Sequence, residues 1–556
     1  VKDGYYRVGG FLSIFEDSES VLFIDGHGNV NEVLGDWSTD IGIGYRQDVG
    51  GTVLGGNAYY NYRDISTGAN DHNFSTLGFG VEALMSDWAV RSNAYVSLDD
   101  RGSNGRTATP LIGGPDLVPQ MGGSMGVSNI RLATQTENWT EALDGFDLNV
   151  SRKIPEANLE VGAGVYYLSA DEGPSSWGVN GTAEAWLASN IAANVTVSHD
   201  DLFDTTVYGG VSIYFGGPSI DAESRSASVT SRLLSRVQRR HVAPVLNYNA
   251  AAPDLLATDS TSGDLITVAQ IAMGGDLLNA PDLLEDDGDF IDIILVDPGA
   301  AFTPMDAIAL NDGQRLLSAH LLHEIDTTEF GTIDLPESGL GGMPAMITGP
   351  TGIDAITLAD GNEVSGFSIV AGAGARGIFG SDVTEFNINN NVLDGATAGG
   401  DEGIEIDSSG LASVSGTISD NMISGFDDDG IQIDGVDIEV DFLNNMITGN
   451  FGDGLDIDGT GDFSGMIMGN TLSNNDADGL DLDALTISGS IIDNTAIMNG
   501  QNGLAIDVDN VLMGSVLTIT DNMTNLNDVD GIFVLFNGDV DSEVLIDGNT
   551  ADGNGD

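Results

Sequence analysis

The sequence predicts an all-β protein in two parts: a 12-stranded antiparallel outer-membrane β-barrel, then a right-handed parallel β-helix. Three observations carry the prediction. Runs of about ten residues alternate apolar and polar side chains with period two, the length a tilted membrane strand needs. Aromatic residues (Tyr60, Tyr62, Trp88) stand near the ends of those runs, as in an interfacial girdle. From about Asn387 onward the chain repeats at intervals near 25 residues with Asn and Gly at its turns, the signature of a solenoid.

The clearest strands lie between Gly51 and Leu98. Leu54, Gly56, Ala58, Tyr60 and Tyr62 share one face, with Asn57, Tyr59, Asn61 and Arg63 on the other. Leu77, Phe79, Val81 and Ala83 oppose Thr76, Gly78, Gly80 and Glu82, and Trp88, Val90, Ala94, Val96 and Leu98 oppose Arg91, Asn93, Tyr95 and Ser97. A soluble sandwich turns its apolar face inward; a membrane barrel turns it to lipid and keeps charge in the lumen. Period two places strands at 5–15, 20–31, 37–48, 51–63, 73–85 and 87–98. After a Gly/Pro/Ser-rich loop to about Ser128, further strands are placed at 128–139, 145–154, 158–169, 175–188, 190–200 and 205–216. Twelve is an even number, which returns both ends of the barrel to one side of the membrane. The polar parity marks Arg63, Glu82, Arg91, Glu160 and Glu184 as lumen-facing.

A net charge of −69, from 86 acidic and 17 basic residues, argues against nucleic acid and anionic membrane surfaces as partners. Without cysteine the chain has neither disulfides nor thiolate metal sites. No apolar run reaches the length of a transmembrane helix. The chain opens at VKDGYY without a signal peptide, so an exported protein of this sequence is expected to be a mature form or a fragment.

Residues 218–241 are basic, with Arg225, Arg232, Arg236, Arg239 and Arg240. Two readings stand side by side: a segment pairing with the lumen carboxylates Glu82, Glu160 and Glu184, or a solvated basic link between two acidic domains. The block LGGNAYYNYRD…STLGFGVEALMSDWAVRSNAYVSL, followed by DGFDLNVSRKIP…LEVGAGVYYL and VYGGVSIYFG, resembles the barrel of inverse autotransporters, the intimin/invasin group. RLLSRVQRR resembles that group's plug-and-linker segment. The resemblance covers about residues 1–245. It implies an outer-membrane barrel with periplasmic termini and a C-terminal passenger drawn out through the pore. The tandem immunoglobulin-like domains and lectin-like tip of typical members are not visible here, so their receptor specificity is not carried over. The expected domains are 1–217 (barrel), 218–264 (Arg-rich pore-threading segment and linker) and 265–556 (passenger).

In the passenger, Asn391, Asn421, Asn445, Asn470, Asn494, Asn522 and Asn549 recur, and the first six are followed by GIEID, GIQID, GLDID, GLDLD, GLAID and GIFVL. Each unit reads as one coil, with coils stacked about 4.8 Å apart. The aliphatic residues of GIQID point inward, Gln432 and Asp434 point out, and the asparagines stack as a hydrogen-bonded ladder. The marks resemble those of the pectate-lyase-like β-helix superfamily, a likeness of fold shared by enzymes, adhesins and tailspikes. The pattern runs to Asp556 without a visible cap, so the natural protein is expected to extend further.

Catalysis on this array is disfavoured. Between Gly377 and Asp556 there is no Lys, Arg, His or Cys, so a lyase lacks its base and a polyanion its counter-charge. Carboxylate-only glycoside hydrolysis remains the alternative, with Asp427, Asp428 and Asp429 as the aspartate group and a polar inter-coil turn as the plainer reading of the same residues. Outward acids recur in register at Glu405, Asp456 and Asp481, and at Asp407, Asp434, Asp458, Asp483 and Asp507; turn acids are Asp429, Asp453, Asp478 and Asp530. Like charges about 5 Å apart repel by roughly 3 kcal/mol at an effective dielectric near 20. Screening, proton uptake or Ca²⁺ would relieve this, and Asp429, Asp434, Asp453, Asp456, Asp458, Asp478, Asp481 and Asp483 are the candidate Ca²⁺ ligands. The expected function is display of an acidic β-helix from the outer membrane for adhesion or surface interaction, not catalysis. The expected partners are outer-membrane lipid and an unidentified surface receptor or polysaccharide.

Overall fold

The computed structural model describes residues 6–30, 36–67, 70–121, 124–188, 191–213, 232–240, 242–285, 288–395, 399–410, 413–511, 516–537 and 543–555. In chain order the strands of its first half are β1 (Tyr6–Glu16), β2 (Ser20–Val30), β3 (Trp37–Val49), β4 (Thr52–Thr67), β5 (Asn70–Leu84), β6 (Trp88–Ser97), β7 (Gly102–Pro110) and β8 (Asp116–Pro119). They continue as β9 (Val127–Ala142), β10 (Asp144–Ile154), β11 (Leu159–Ser169), β12 (Ser175–Ala188), β13 (Ile191–Asp200), β14 (Asp204–Ile213), β15 (Val245–Leu256) and β16 (Thr267–Ile271). The chain divides into two units, Val1–Thr109 with Gln135–Pro253, and Pro110–Thr134 with Asp254–Asp556. Among the described residues no helix is long and apolar enough to cross a membrane.

The first unit is an antiparallel sheet of eleven strands in the order β1 to β6, then β10 to β14. Its polarity is that of a barrel in lipid. Val81, Trp177 and Val211 on the outer face are 64%, 62% and 66% exposed, while Asp40 and Arg46 on the inner face are 2% and 0% exposed. Water would reverse this distribution, because burying a charge costs several kcal/mol and exposing aliphatics forfeits about 25 cal/mol per Å². The outer aromatics gather toward the strand ends. Trp37 lies 5.2 Å from Tyr62, and Trp177 lies 5.5 Å from Phe146 and 5.2 Å from Tyr167, at the end away from the short β3–β4 and β5–β6 turns.

Eleven of the twelve predicted runs join this sheet. The seventh, 128–139, does form a strand, β9, but β6 pairs directly with β10 (Tyr95↔Gly145, Trp88↔Arg152) and leaves β9 out. The physical reason is that the start of β9 buries both faces, Val127 on one and Ile130 and Leu132 on the other, whereas a barrel strand gives one face to lipid. The segment predicted as a loop from Asp99 also holds β7 and β8. β14 ends at Ile213, and positions 214–216 of the last predicted run lie outside the described residues.

The second unit is a parallel β-solenoid. Ile404, Ile431, Leu455, Leu480 and Leu504 stack in register as one inward row, and Ile406, Ile433, Ile457, Leu482 and Ile506 as the next, all 0% exposed. Turns are closed by two asparagine ladders. In the first, Asn391, Asn421, Asn445, Asn470, Asn494, Asn522 and Asn549 each pass an Nδ2–H to the next Oδ1 at 3.0–3.1 Å. The second ladder joins Asn450, Asn475, Asn499, Asn527 and Asn554. Each ladder asparagine from Asn421 onward follows a left-handed residue, for example Asn444 (φ 57°) before Asn445 or Gly449 (φ 73°) before Asn450. Asn, Asp and Gly accept that conformation at little cost and fill it at every such rung but two, where Met498 (φ 59°) and Leu526 (φ 58°) precede Asn499 and Asn527.

Candidate functional site

Two groups of polar residues stand out, one inside each unit. In the first, residues 232–240 and 242–243 run against the inner face of the barrel sheet. Leu233 and Val237 pack with Val21, Phe23, Val53, Tyr59, Leu84 and Ala89. Around them the charged groups interlock. Arg46 donates to Glu82 (2.6 Å) and to the backbone carbonyls of Leu233 (2.9 Å) and Ser235. Arg91 lies 3.8 Å from Glu82 and 3.6 Å from Glu160, and donates to Ser151 (3.0 Å). From the linker, Arg232 lies 3.8 Å from Glu160 and Arg236 pairs with Glu184. Arg63 donates to the Ala243 carbonyl at 2.7 Å. Arg239 stacks 4.0 Å over Tyr59 and Arg240 stacks 4.2 Å over Tyr166. A Cβ at Gly78 would come within 2.2 Å of the Arg239 guanidinium, so glycine makes room for the linker there.

The predicted lumen residues Arg63, Glu82, Arg91, Glu160 and Glu184 therefore share the inner face, and Arg232, Arg236, Arg239 and Arg240 sit among them; Arg225 lies outside the described residues. Arg46, the most buried cation of this network, went unmarked in the sequence reading. Its signal was available, since it falls on the polar parity of β3 with Asp40.

The second group is the acidic face of the solenoid. In-register pairing stacks Glu405, Gln432, Asp456, Asp481 and Ala505 in one column and Asp407, Asp434, Asp458, Asp483 and Asp507 beside it. A third column comes from the turns: the Asp453 amide donates to Asp429 (2.5 Å), the Asp478 amide to Asp453 (2.5 Å) and the Asn502 amide to Asp478. Burial pushes the Asp456 carboxyl up to about 8, with the neighbouring Asp458, Asp429, Asp453 and Asp481 adding to it. Burial likewise lifts Asp453 to about 7 and Asp429, Asp434 and Asp481 to about 6, and raises Asp478 and Asp483.

Carboxylate oxygens of Asp453, Asp456 and Asp481 lie within 4.8 Å of one another. Three oxygen donors could take one hard cation, the rest of its 6–8 ligands coming from water. Of the other Ca²⁺ candidates, Asp434, Asp458 and Asp483 belong to the neighbouring column, and Asp429 and Asp478 accept backbone N–H groups in the turns. Asp427 and Asp428 are exposed in the turn while Asp429 is buried, so the three do not converge as a pair across a cleft.

Sequence reasoning did not mark the upper end of the columns. There Arg376 donates to Asp354 (3.0 Å) and Glu405 (2.6 Å) and lies 3.6 Å over the Phe379 ring. Burial lifts nearby Glu402 to about 7. Arg376 is the last basic residue before an exclusively acidic stretch, which was the available signal.

An apolar-outside, charge-inside antiparallel sheet followed by a stacked parallel solenoid defines a membrane-anchored β-barrel with a β-helical passenger. The family comparisons make this particular. Residues 9–167 match the inverse autotransporter beta-domain, and residues 402–556 match the right handed beta helix region. Together the two matches support an outer-membrane-anchored surface protein with a β-helical passenger. No curated protein matches the chain. Among solved structures, one chain from a study of the in-meso crystallization of membrane proteins is similar at 11% identity, covering 45% of this chain and 95% of its own, with TM-score 0.33. An alginate lyase from Paenibacillus sp. str. FPU-7 is 16% identical over 52% of this chain and 96% of its own, with TM-score 0.29. The A-module of a mannuronan C-5 epimerase from Azotobacter vinelandii is 13% identical over 47% of this chain and 87% of its own, with TM-score 0.26.

Proposed function

We propose that the solenoid is a binding surface, held at the cell exterior for adhesion to a surface receptor or polysaccharide. The observation carrying this reading is the passage of residues 232–240 and 242–243 along the interior of the barrel sheet, held by Arg46, Arg63, Glu160 and Glu184. A segment so placed tethers whatever follows it. The acidic columns favour binding over catalysis, because their face from Gly377 onward offers no side-chain cation to bind or deprotonate a uronic acid. The test is display of the chain on cells of a non-adherent strain, compared with the same chain carrying neutral Asn at 456, 458, 481 and 483. Adherence to a polysaccharide or cell-surface panel that the Asn variant loses supports the reading; equal adherence of both to every target overturns it.

A second reading, a surface-tethered glycoside hydrolase, is favoured by one observation: Asp456, with its carboxyl lifted to about 8, faces Asp453 and Asp481 as a proton donor would face a base. Release of reducing ends from a polysaccharide panel, abolished by Asp456→Asn, would establish it against the binding reading.

A further inference from the structure

The second unit contains a segment that does not follow the linker. Residues 110–134 lie between β6 and β10 in the chain, yet they belong with the solenoid. The start of β9 pairs with the first solenoid strand, β16, in antiparallel register: Val127↔Ala269, Ser128↔Val268, Asn129↔Thr267. On its other side β16 runs parallel to Ile293–Val296. One neighbour of opposite direction closes the edge that a parallel stack otherwise leaves open, with its unpaired N–H and C=O groups.

The contact is a core. Val127 joins the central aliphatic rows, and Ile130 and Leu132 pack with Ile266, Val268, Ile293, Leu295 and Leu317. Arg131 forks onto Asp116 at 2.9 and 2.7 Å and reaches Asp254 at 3.1 Å, tying β8 and β9 to the chain just beyond the linker.

The order of contacts along this one strand points to its use. The Leu143 amide donates to Pro244 (2.9 Å), Thr140 to Asn247 (2.7 Å), and the Ala257 amide to Ile130 (2.8 Å); then come the β16 pairings at Asn129 and Val127. As the chain proceeds from 244 to 269, its partners step from 143 back to 127. A single coil cannot bury its own apolar face, so the first coil of a solenoid is the costly one to form. A strand already standing beside the emerging chain lowers that cost.

We propose that β8 and the first half of β9 are the cap and folding template of the solenoid, with β16 as the segment that docks on them by strand addition. The solenoid then folds from its first coil onward.

The test uses the full chain in detergent micelles, in urea that melts the solenoid while the barrel keeps its heat-modifiable gel mobility. Two variants are compared with the parent. Ile130→Ala with Leu132→Ala trims the template: refolding of the solenoid, followed by protease protection of residues beyond 265, is expected to slow at least tenfold, with a smaller change in its unfolding rate. A nucleus residue acts on the folding limb in this way. A loss confined to the unfolding rate, or none, overturns the template. Ser128→Cys with Val268→Cys reports the pairing in the exported protein, because the chain has no other cysteine. Near-complete intramolecular disulfide on cells supports the docked strand, and its absence under oxidation overturns it. Both readouts are independent of what the passenger binds.

Discussion

Replacing Asn445 by Ala tests the ladder at one rung. The side chain is 1% exposed and makes four hydrogen bonds. It donates to the Ile418 carbonyl (2.7 Å) and to Asn470 Oδ1 (3.1 Å), and accepts from the Asn421 amide (3.0 Å) and Asn421 Nδ2 (3.1 Å). A net bond is worth about 1 kcal/mol, and a buried donor or acceptor left without a partner costs about 1–3 kcal/mol. The buried Asn421 amide loses its acceptor outright, so the expected total is about 4 kcal/mol. A solenoid spreads such a loss over the damaged coil and its neighbours rather than over the whole chain. Native-state amide hydrogen exchange is therefore the assay. Protection of residues 418–470 is expected to fall about a thousandfold, since 1.4 kcal/mol is a factor of ten. Residues 356–370 should be unchanged. Asn445→Asp should be worse, because a carboxylate cannot donate to Ile418 O and would sit unneutralised in the turn. A uniform drop over all coils, or a local loss under about 1 kcal/mol, would refute the reasoning.

The remaining predictions concern charge and lipid. Asp456, Asp453, Asp429, Asp434 and Asp481 hold protons more tightly folded than unfolded. Between about pH 4 and 8 the native solenoid thus binds more protons than the unfolded chain, and its stability falls as pH rises through that window, levelling above it. After allowance for screening, a urea titration should show roughly 2 kcal/mol or more lost from pH 5 to pH 8. Asp456→Asn should raise stability at pH 8 and flatten that slope; an unchanged slope would count against the stacked carboxylates. Arg232→Gln with Arg236→Gln leaves Glu160 and Glu184 without their linker partners. Planar-bilayer recordings should then show larger or more frequent conductance than the parent, at a barrel yield that stays measurable. Val81→Lys, on the outer face of β5, should cost the barrel about 2–4 kcal/mol in lipid, whereas Thr76→Lys on the inner face should mainly alter conductance. Equal costs at both positions would mean that the outer face does not meet hydrocarbon.

The strands were legible because membrane barrels and solenoids both write their burial into short periods. Period two identified which residues of β4, β5 and β6 face inward, down to Asn61, Glu82 and Arg91. It could not say to which sheet β9 belongs, since the choice of partner is set by Val268, Ile293 and Leu317, well over a hundred residues away. The first asparagine ladder was visible from its regular spacing. The second follows it by five residues each time (Asn445 and Asn450, Asn470 and Asn475, Asn494 and Asn499) but is hidden among other turn residues. For the acidic face, pairing register gave the columns, while the burial of Asp429 and Asp478 under the next coil's turn did not follow from any local pattern. The linker arginines were legible as a basic cluster, and pairing with Glu82, Glu160 and Glu184 was one of two readings open to it; which arginine meets which carboxylate is fixed by tertiary contact.

The coil register also makes the passenger adjustable in length. Each turn from Asn421 to Asn494 repeats the same inward rows and the same asparagine rungs at a spacing of 24 or 25 residues. Removing or duplicating one such block joins matching positions and leaves every rung with a neighbour. The length of the solenoid is therefore set in steps of about 4.8 Å, a ruler that gain or loss of a block in register can lengthen or shorten without redesigning the anchor.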